Sequence, residues 1–299
     1  MRPPGTGAEI QGRSTRIDGV QPAAWSFCLR SLPQAGWTRK ASGGFRRRIV
    51  KAIDASATVG ELVARHPEFY RALEKFGIDY CCGGRTPLSQ ACAERGLALE
   101  QVLSELEALA AAGPAAEERW TEAPLKDLAD HIEATHHAYL RRELPRLAGM
   151  LDRLVTVHGQ RHPELAELRG VFASFEAEMW PHMMKEETVL FPLIRALEAG
   201  GGETFGSLSC PIQAMEAEHD QASRDLARMR EITGGFSPPA DACGTYRAAL
   251  AGLAELEEDT HRHIHKENSI LFPRALALES ERSSGRQAGA ATGNPSPSC

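Results

Sequence analysis

Between about residues 54 and 279 apolar positions recur at three- and four-residue spacing, the pattern of helices laid against a core. Thr58 and Glu61 form a capping-box pair ahead of Leu62 and Val63. Pro67 can open a second helix carrying Phe69, Leu73 and Phe76, and Gly77 ends it. After a Cys81-Cys82-Gly83-Gly84 turn, Thr86-Pro87 supplies an N-cap and first-turn pair, and helical spacing returns from Leu99 to Leu109. Gly113-Pro114 and the polar stretch to Glu122 read as a linker, and four long periodic segments follow near 124–158, 163–199, 208–233 and 240–279. The expected fold is all-α: a small N-terminal cysteine-bearing helical domain over 51–112, then an antiparallel four-helix bundle over 123–279.

The two ends differ from this. Residues 1–50 are rich in Gly, Pro, Ser and Arg and read as a disordered extension, as does a tail over 280–299. The Arg46-Arg47-Arg48 run imitates a targeting signal, but no apolar segment follows it, and a translation start near Ile49 fits equally well. A hydrophobic fraction of 42% suits a soluble core. A net charge of −6 offers no general attraction for nucleic acid or anionic lipid, so neither is an expected partner. No apolar run reaches the roughly 18 residues that a membrane span needs, so the expected compartment is the cytoplasm. Seven cysteines in such a chain, two of them adjacent, do not suggest a disulfide framework.

The chemistry lies in a repeat. His182-Met-Met-Lys-Glu186-Glu-Thr-Val-Leu-Phe-Pro192 recurs as His263-Ile-His-Lys-Glu267-Asn-Ser-Ile-Leu-Phe-Pro273, with six of eleven positions identical. Residues four apart on a helix share a face, roughly 6 Å apart along the axis, so each His-x-x-x-Glu aims an imidazole and a carboxylate at one place. The preceding segments repeat more faintly: placing His137 on His219 aligns Arg142-Glu143-Leu144 with Arg224-Asp225-Leu226. The duplicated unit is a helical hairpin, and the two copies together offer four imidazoles and two carboxylates. That set suits two metal ions with bridging carboxylates, and imidazole with carboxylate in place of thiolate favours iron or manganese, iron first.

A single His four residues before a Glu is most often a surface pair, but two copies flanked by the same Leu-Phe-Pro share one relation to the core. Leu190, Phe191, Leu271 and Phe272 are expected core, and Pro192 and Pro273 are expected to bend or shorten their helices. His136 competes with His137, because Ile-Glu-Ala-Thr-His136 also aligns with Met-Glu-Ala-Glu-His219, and periodicity leaves that choice open. His261 and His265 have no repeat counterpart and are expected at the surface. His66, His131, His158 and His162 are expected to be solvated or capping, and Met183 and Met184 to pack.

With these motifs the chain resembles the repair-of-iron-centres family of hemerythrin-like di-iron proteins, over about residues 54–278. The resemblance rests on Asp79-Tyr80-Cys81-Cys82-Gly83-Gly84, on His-Met-Met-Lys-Glu-Glu, on Met-Glu-x-Glu-His-Asp, and on His-Ile-x-x-Glu-Asn before Leu-Phe-Pro-Arg-Ala. It implies a hemerythrin-like bundle with two carboxylate-bridged, non-haem iron ions held by His137, His182, Glu186, His219, His263 and Glu267. It further implies repair of iron–sulfur proteins damaged by nitrosative or oxidative stress, by iron donation, by nitric oxide reduction, or by both. Glu218, beside His219, is then placed to help move protons or iron. Damaged iron–sulfur proteins, nitric oxide or oxygen, and a second copy of the chain are the expected partners.

Cys81 and Cys82, beside paired glycines, are expected to be exposed thiols with a redox or iron-transfer role; the bland alternative is a buried small pair. Cys28, Cys92, Cys210 and Cys243 have no such context. A second class of function is a non-catalytic sensor or storage module binding oxygen or iron, but the cysteine domain favours repair. A dithiol oxidoreductase using Cys81 and Cys82 alone would leave the six ligands without a purpose.

Overall fold

The computed structural model describes residues 53–112, 120–201 and 207–291. The expected disordered extension over 1–50, and residues 292–299 of the expected tail, lie outside these. Four short helices come first: α1 (Val59–Arg65), α2 (Tyr70–Lys75), α3 (Leu88–Glu94) and α4 (Leu99–Ala112). The capping box forms as the sequence predicts, with Glu61 N–H donating to Thr58 Oγ1 at 3.3 Å and Thr58 N–H to Glu61 Oε2 at 3.4 Å. Pro67 opens a 3-10 turn ahead of α2, and Gly77 turns the chain at φ +66°. The N-cap of α3 falls on Pro87, one residue beyond the expected Thr86.

Four long helices follow. The first consists of α5 (Leu125–Ile132), a π turn (Glu133–His137) and α6 (Ala138–His158). The second is α7 (Glu164–Lys185), a π turn (Glu186–Leu190) and α8 (Phe191–Glu198). The third is the uninterrupted α9 (Ser209–Ile232), and the fourth is α10 (Gly244–His265), a π turn (Lys266–Leu271) and α11 (Phe272–Ala291). The last helix thus runs past Ser280, where the sequence suggests an unstructured tail. Each of α6 and α9 packs on both α7 and α10, which closes the four into a ring.

Two apolar clusters fill the ring. One includes Leu140, Phe172, Met183, Leu226 and Leu256; the other includes Ile132, Phe191, Met215, Ile270 and Phe272. The histidines and carboxylates of the repeat lie where every long helix passes from one cluster to the other. Pro192 and Pro273, expected to bend or shorten their helices, each stand in the second position of an α-helical segment that follows a π turn. A proline ring strikes the carbonyl four residues back in a regular helix, and the wider π turn ahead of it relieves that crowding.

The N-terminal helices seat on α9 and on the fourth long helix. Tyr70 O–H donates to Glu258 at 3.1 Å, Arg85 pairs with Glu216, and His265 Nδ1–H donates to the Tyr80 carbonyl at 3.3 Å. Gly60 and Gly84 close on Ser269: a Cβ on Gly60 would stand 2.5 Å from Ser269 Oγ and 2.9 Å from the Gly84 carbonyl. Because the second obstacle is backbone, it cannot rotate away. Gly60→Ala should therefore cost about 1–3 kcal/mol, read as a lower urea midpoint; an unchanged midpoint would show that this approach is not tight.

Candidate metal centre

The repeat residues reach the bundle interior from all four long helices: His137 from the first, His182 and Glu186 from the second, His219 from the third, and His263 and Glu267 from the fourth. His137, His182, His219 and His263 are at most 1% exposed, and Glu186 and Glu267 are fully buried. They fall into two groups, His137, Glu186, His263, Glu267 and His182, Glu186, His219, Glu267, with the ligand atoms of each group within 4.8 Å of one another. Both carboxylates belong to both groups. Each group takes one histidine from each hairpin, so exchanging the hairpins maps one group onto the other.

The close contacts are not those of a self-satisfied hydrogen-bond network. His137 and His263 face each other Nε2 to Nε2 at 3.2 Å, and His182 and His219 do the same at 3.2 Å. Glu186 Oε2 lies 3.2 Å from His137 Nε2 and 3.4 Å from His182 Nε2, yet neither Glu186 oxygen has an aligned hydrogen-bond partner. Glu267 Oε2 is likewise 3.1 Å from His219 Nε2 and without one. Buried acceptors left in this state are expensive, and converging lone pairs of this kind are what cations satisfy. The donor set fits two ions, each with two imidazoles of its own and two shared carboxylates.

A second layer orients three of the rings. Nδ1–H of His137 donates to Glu187 at 2.6 Å, that of His182 to Glu218 at 2.9 Å, and that of His219 to Asn268 Oδ1 at 2.9 Å. Each bond fixes the tautomer and turns the Nε2 lone pair inward. Phe191 stacks on His137 at 5.9 Å and Phe272 on His219 at 6.1 Å, so the Leu-Phe-Pro residues wall the centre as well as fill the core. The sequence reading did not identify Glu187 and Asn268 as partners. The available signal was their identical place after Glu186 and Glu267, where both copies carry an acceptor.

The duplication breaks at one point. The repeat counterpart of Glu218 is His136, which does not hydrogen-bond the ring of His263 but stacks on it at 5.4 Å with planes 2° apart. His263 Nδ1 has no partner. His136 instead donates Nδ1–H to Asp259 at 3.0 Å and accepts from Lys266 Nζ at 2.9 Å. The choice the repeat leaves open therefore falls on His137 as the inward residue.

Other expectations change. His265, expected at the surface, is 5% exposed beneath the Tyr80 ring, because the N-terminal helices cover it. His261 faces Glu74 at 3.8 Å in the same contact. His158 is also buried, against Cys243 Sγ at 3.3 Å. Met183 packs as expected, whereas Met184 is exposed. The Cys81 thiol is buried and donates to Asp79 Oδ1 at 3.1 Å, and only Cys82 is part-exposed, in contact with Ser223 Oγ at 3.0 Å. Ser223 lies one turn beyond His219 on α9. Glu218 stands behind His182 and in contact with Lys185, outside the ligand cluster.

Acid–base chemistry of the protein groups alone shows what a cation must displace. Burial lowers His219, but Glu267 and Glu186 outweigh it and hold the ring up at about 9. Burial raises Glu267, but the imidazoles of His263 and His219 outweigh it and keep this carboxyl well below the usual range. Hydrogen bonding from His182 carries Glu218 down to about 2. At neutral pH a proton therefore sits on His219 where a metal would bind, and loading must release it. Metal affinity should rise with pH up to about 9. Calorimetric titration in buffers of different ionisation enthalpy should detect that release, and identical heats in all buffers would contradict it.

Sharing makes a second prediction. Glu186→Ala or Glu267→Ala should empty both groups, whereas His137→Ala should leave the His182, His219 group able to hold its ion, read as iron per chain. Glu187→Ala should weaken metal affinity by about 10–100-fold. A Glu186→Ala protein retaining two irons would show that the carboxylate is not shared.

Comparison with known proteins agrees with this geometry. The hemerythrin HHE cation binding domain family matches residues 128–275, and ScdA_N, a domain of unknown function, matches residues 55–110. The iron-sulfur cluster repair protein YtfE of Pectobacterium carotovorum subsp. carotovorum (strain PC1) is 37% identical over 223 residues, 74% of this chain and 97% of that protein. The protein of the same name from Escherichia coli O157:H7 is 37% identical over 221 residues, and that from Musicola paradisiaca (strain Ech703) is 38% identical over 225; each match spans 74% of this chain and 97% of the relative. The centre is the di-iron centre of a hemerythrin-like bundle. With both matched segments present in order and the relatives covered almost end to end, the chain belongs to the YtfE family of iron–sulfur cluster repair proteins.

Proposed function

We propose that this chain repairs iron–sulfur proteins damaged by nitrosative or oxidative stress, and that it does so by donating iron from the centre. The observation that carries this reading is the pair of four-ligand groups sharing Glu186 and Glu267. Four protein ligands per ion leave coordination positions open, and iron there supplies Lewis acidity and one-electron chemistry. His137, His182, His219 and His263 hold the ions, and Glu187, Glu218 and Asn268 keep their rings aimed inward. Glu218 reaches from His182 outward to Lys185 and is about a third exposed, which suits a group that passes protons or iron between the centre and the surface.

Cys82 is the thiol suited to accept iron. Its contact with Cys81 and then its contact with Ser223 lower it, whereas the same contact with Cys82 and burial raise Cys81. Cys82 is also the part-exposed thiol of the pair, whereas Cys81 is buried and bonded to Asp79, so Cys82 is the one open to a metal ion. Nitric oxide reduction is a second reading, favoured by the open positions at two adjacent ions, and oxygen would compete for the same places. Among the described residues no helix is long and apolar enough to cross a membrane, and we place the protein in the cytoplasm, with homodimer formation compatible with this role.

Anaerobically loaded protein should transfer iron to an apo iron–sulfur protein faster than the same concentration of free ferrous ion. Cys82→Ser should slow transfer by about tenfold while leaving bound iron unchanged, and Cys81→Ser should slow it less. Nitric oxide consumption by the same sample, read with an electrode, tests the second reading. Loaded protein that neither transfers iron nor consumes nitric oxide, yet holds oxygen reversibly, would replace repair with sensing or storage.

A further inference from the structure

Three of the four metal-facing imidazoles are backed by an acceptor at Nδ1, and the fourth is not. His182 and His219, which belong to one four-ligand group, donate to Glu218 and Asn268, each at 2.9 Å. In the other group His137 donates to Glu187 at 2.6 Å, but the fully buried His263 has no partner at Nδ1. The difference is written in the sequence. The acceptors come from the positions just after Glu186 and Glu267 and just before His137 and His219; three of these carry Glu or Asn, and the fourth is His136. His136 cannot serve in their place. Its Nδ1–H is given to Asp259 at 3.0 Å, its Nε2 accepts from Lys266 at 2.9 Å, and its ring lies 2° from parallel with that of His263, so neither in-plane nitrogen is aimed at it. His136, Asp259 and Lys266 all line a cavity of about 390 Å³ between the N-terminal helices and the bundle, and their bonds run away from the centre.

We infer that the centre holds its two ions unequally: the ion of the His182, His219 group is resident, and the ion of the His137, His263 group is the one that exchanges. An acceptor at Nδ1 raises the basicity of Nε2 and fixes the ring before a cation arrives, and loss of one such partner weakens a metal site by about 10–100-fold. One group has both partners, and the other has one. Nothing else separates them so clearly: both carboxylates are shared, and each group has one ring stacked on a phenylalanine, His137 on Phe191 and His219 on Phe272. Ranking the two ions goes beyond cluster repair and does not depend on it, because the test reads affinity and a protein that donates no iron would leave it standing.

Full-length, ferrous-loaded protein, kept from oxygen, is titrated with a coloured ferrous chelator. Two steps of one iron each are expected, with dissociation constants about 10–100-fold apart; a single step of two irons would overturn the inference. This measurement needs no substitution, so it decides even where a variant fails to fold. Neighbouring ions also repel, and variants that keep one group identify the weaker position. His137→Ala retains the His182, His219 group, and His182→Ala retains the other. The iron of His182→Ala should be held about 10–100-fold more weakly than that of His137→Ala, and equal or reversed affinities would overturn the inference. Adding Asn268→Ala should weaken the iron of His137→Ala by about tenfold or more and leave that of His182→Ala unchanged. An equal fall in both would show that Asn268 supports the fold and not one ring, and would also overturn it.

Discussion

The structure depends on two buried carboxylates that the protein satisfies only in part: Glu267 Oε1 accepts from His263 at 3.1 Å, while Glu267 Oε2 and both oxygens of Glu186 have no hydrogen-bond partner. Glu186 and Glu267 lie fully buried between four imidazoles, at the boundary of two apolar clusters, where an uncompensated charge costs several kcal/mol. Nearby architectural choices serve that layer. Three of the four long helices widen into π turns there, phenylalanine rings close over His137 and His219, and polar side chains grip the outer nitrogens of three histidines. The apolar clusters on either side keep solvent from relieving the same groups more cheaply.

The approximate twofold relation between the hairpins explains the centre's economy and also its asymmetry. Equivalent positions repeat ligand, wall and outer partner: His137 with His219, Phe191 with Phe272, Glu187 with Asn268. At one pair, Glu218 and His136, the copies diverge, and the geometry follows. One side presents a carboxylate to its histidine and a route to the surface, and the other presents a neutral ring whose hydrogen bonds run toward Asp259 and Lys266. The side that turns away from the metal is the side that lines the cavity under the N-terminal helices.

Much of this was legible in the residues because periodicity and repetition are both local signals. The all-α class, the four long helices and the convergence of His182, Glu186, His219, His263 and Glu267 follow from spacing alone. The choice between His136 and His137 did not, because it turns on a π turn that shifts the helical phase by part of a turn. His265 departs from expectation for another reason: the Tyr80 ring and carbonyl of the N-terminal segment cover it, a contact between segments far apart in sequence that the local pattern does not announce. The outer partners Glu187 and Asn268 look like ordinary helix-surface polars until the rings they hold are known.

Each ion draws one histidine from each hairpin, and this has a consequence for ancestry. A solitary hairpin possesses one half of either coordination shell and could complete it only by meeting its own twin across a dyad. The present chain therefore has the form of a homodimer joined end to end, in which fusion freed one copy of position 218 from matching the other and let the two halves take on different duties.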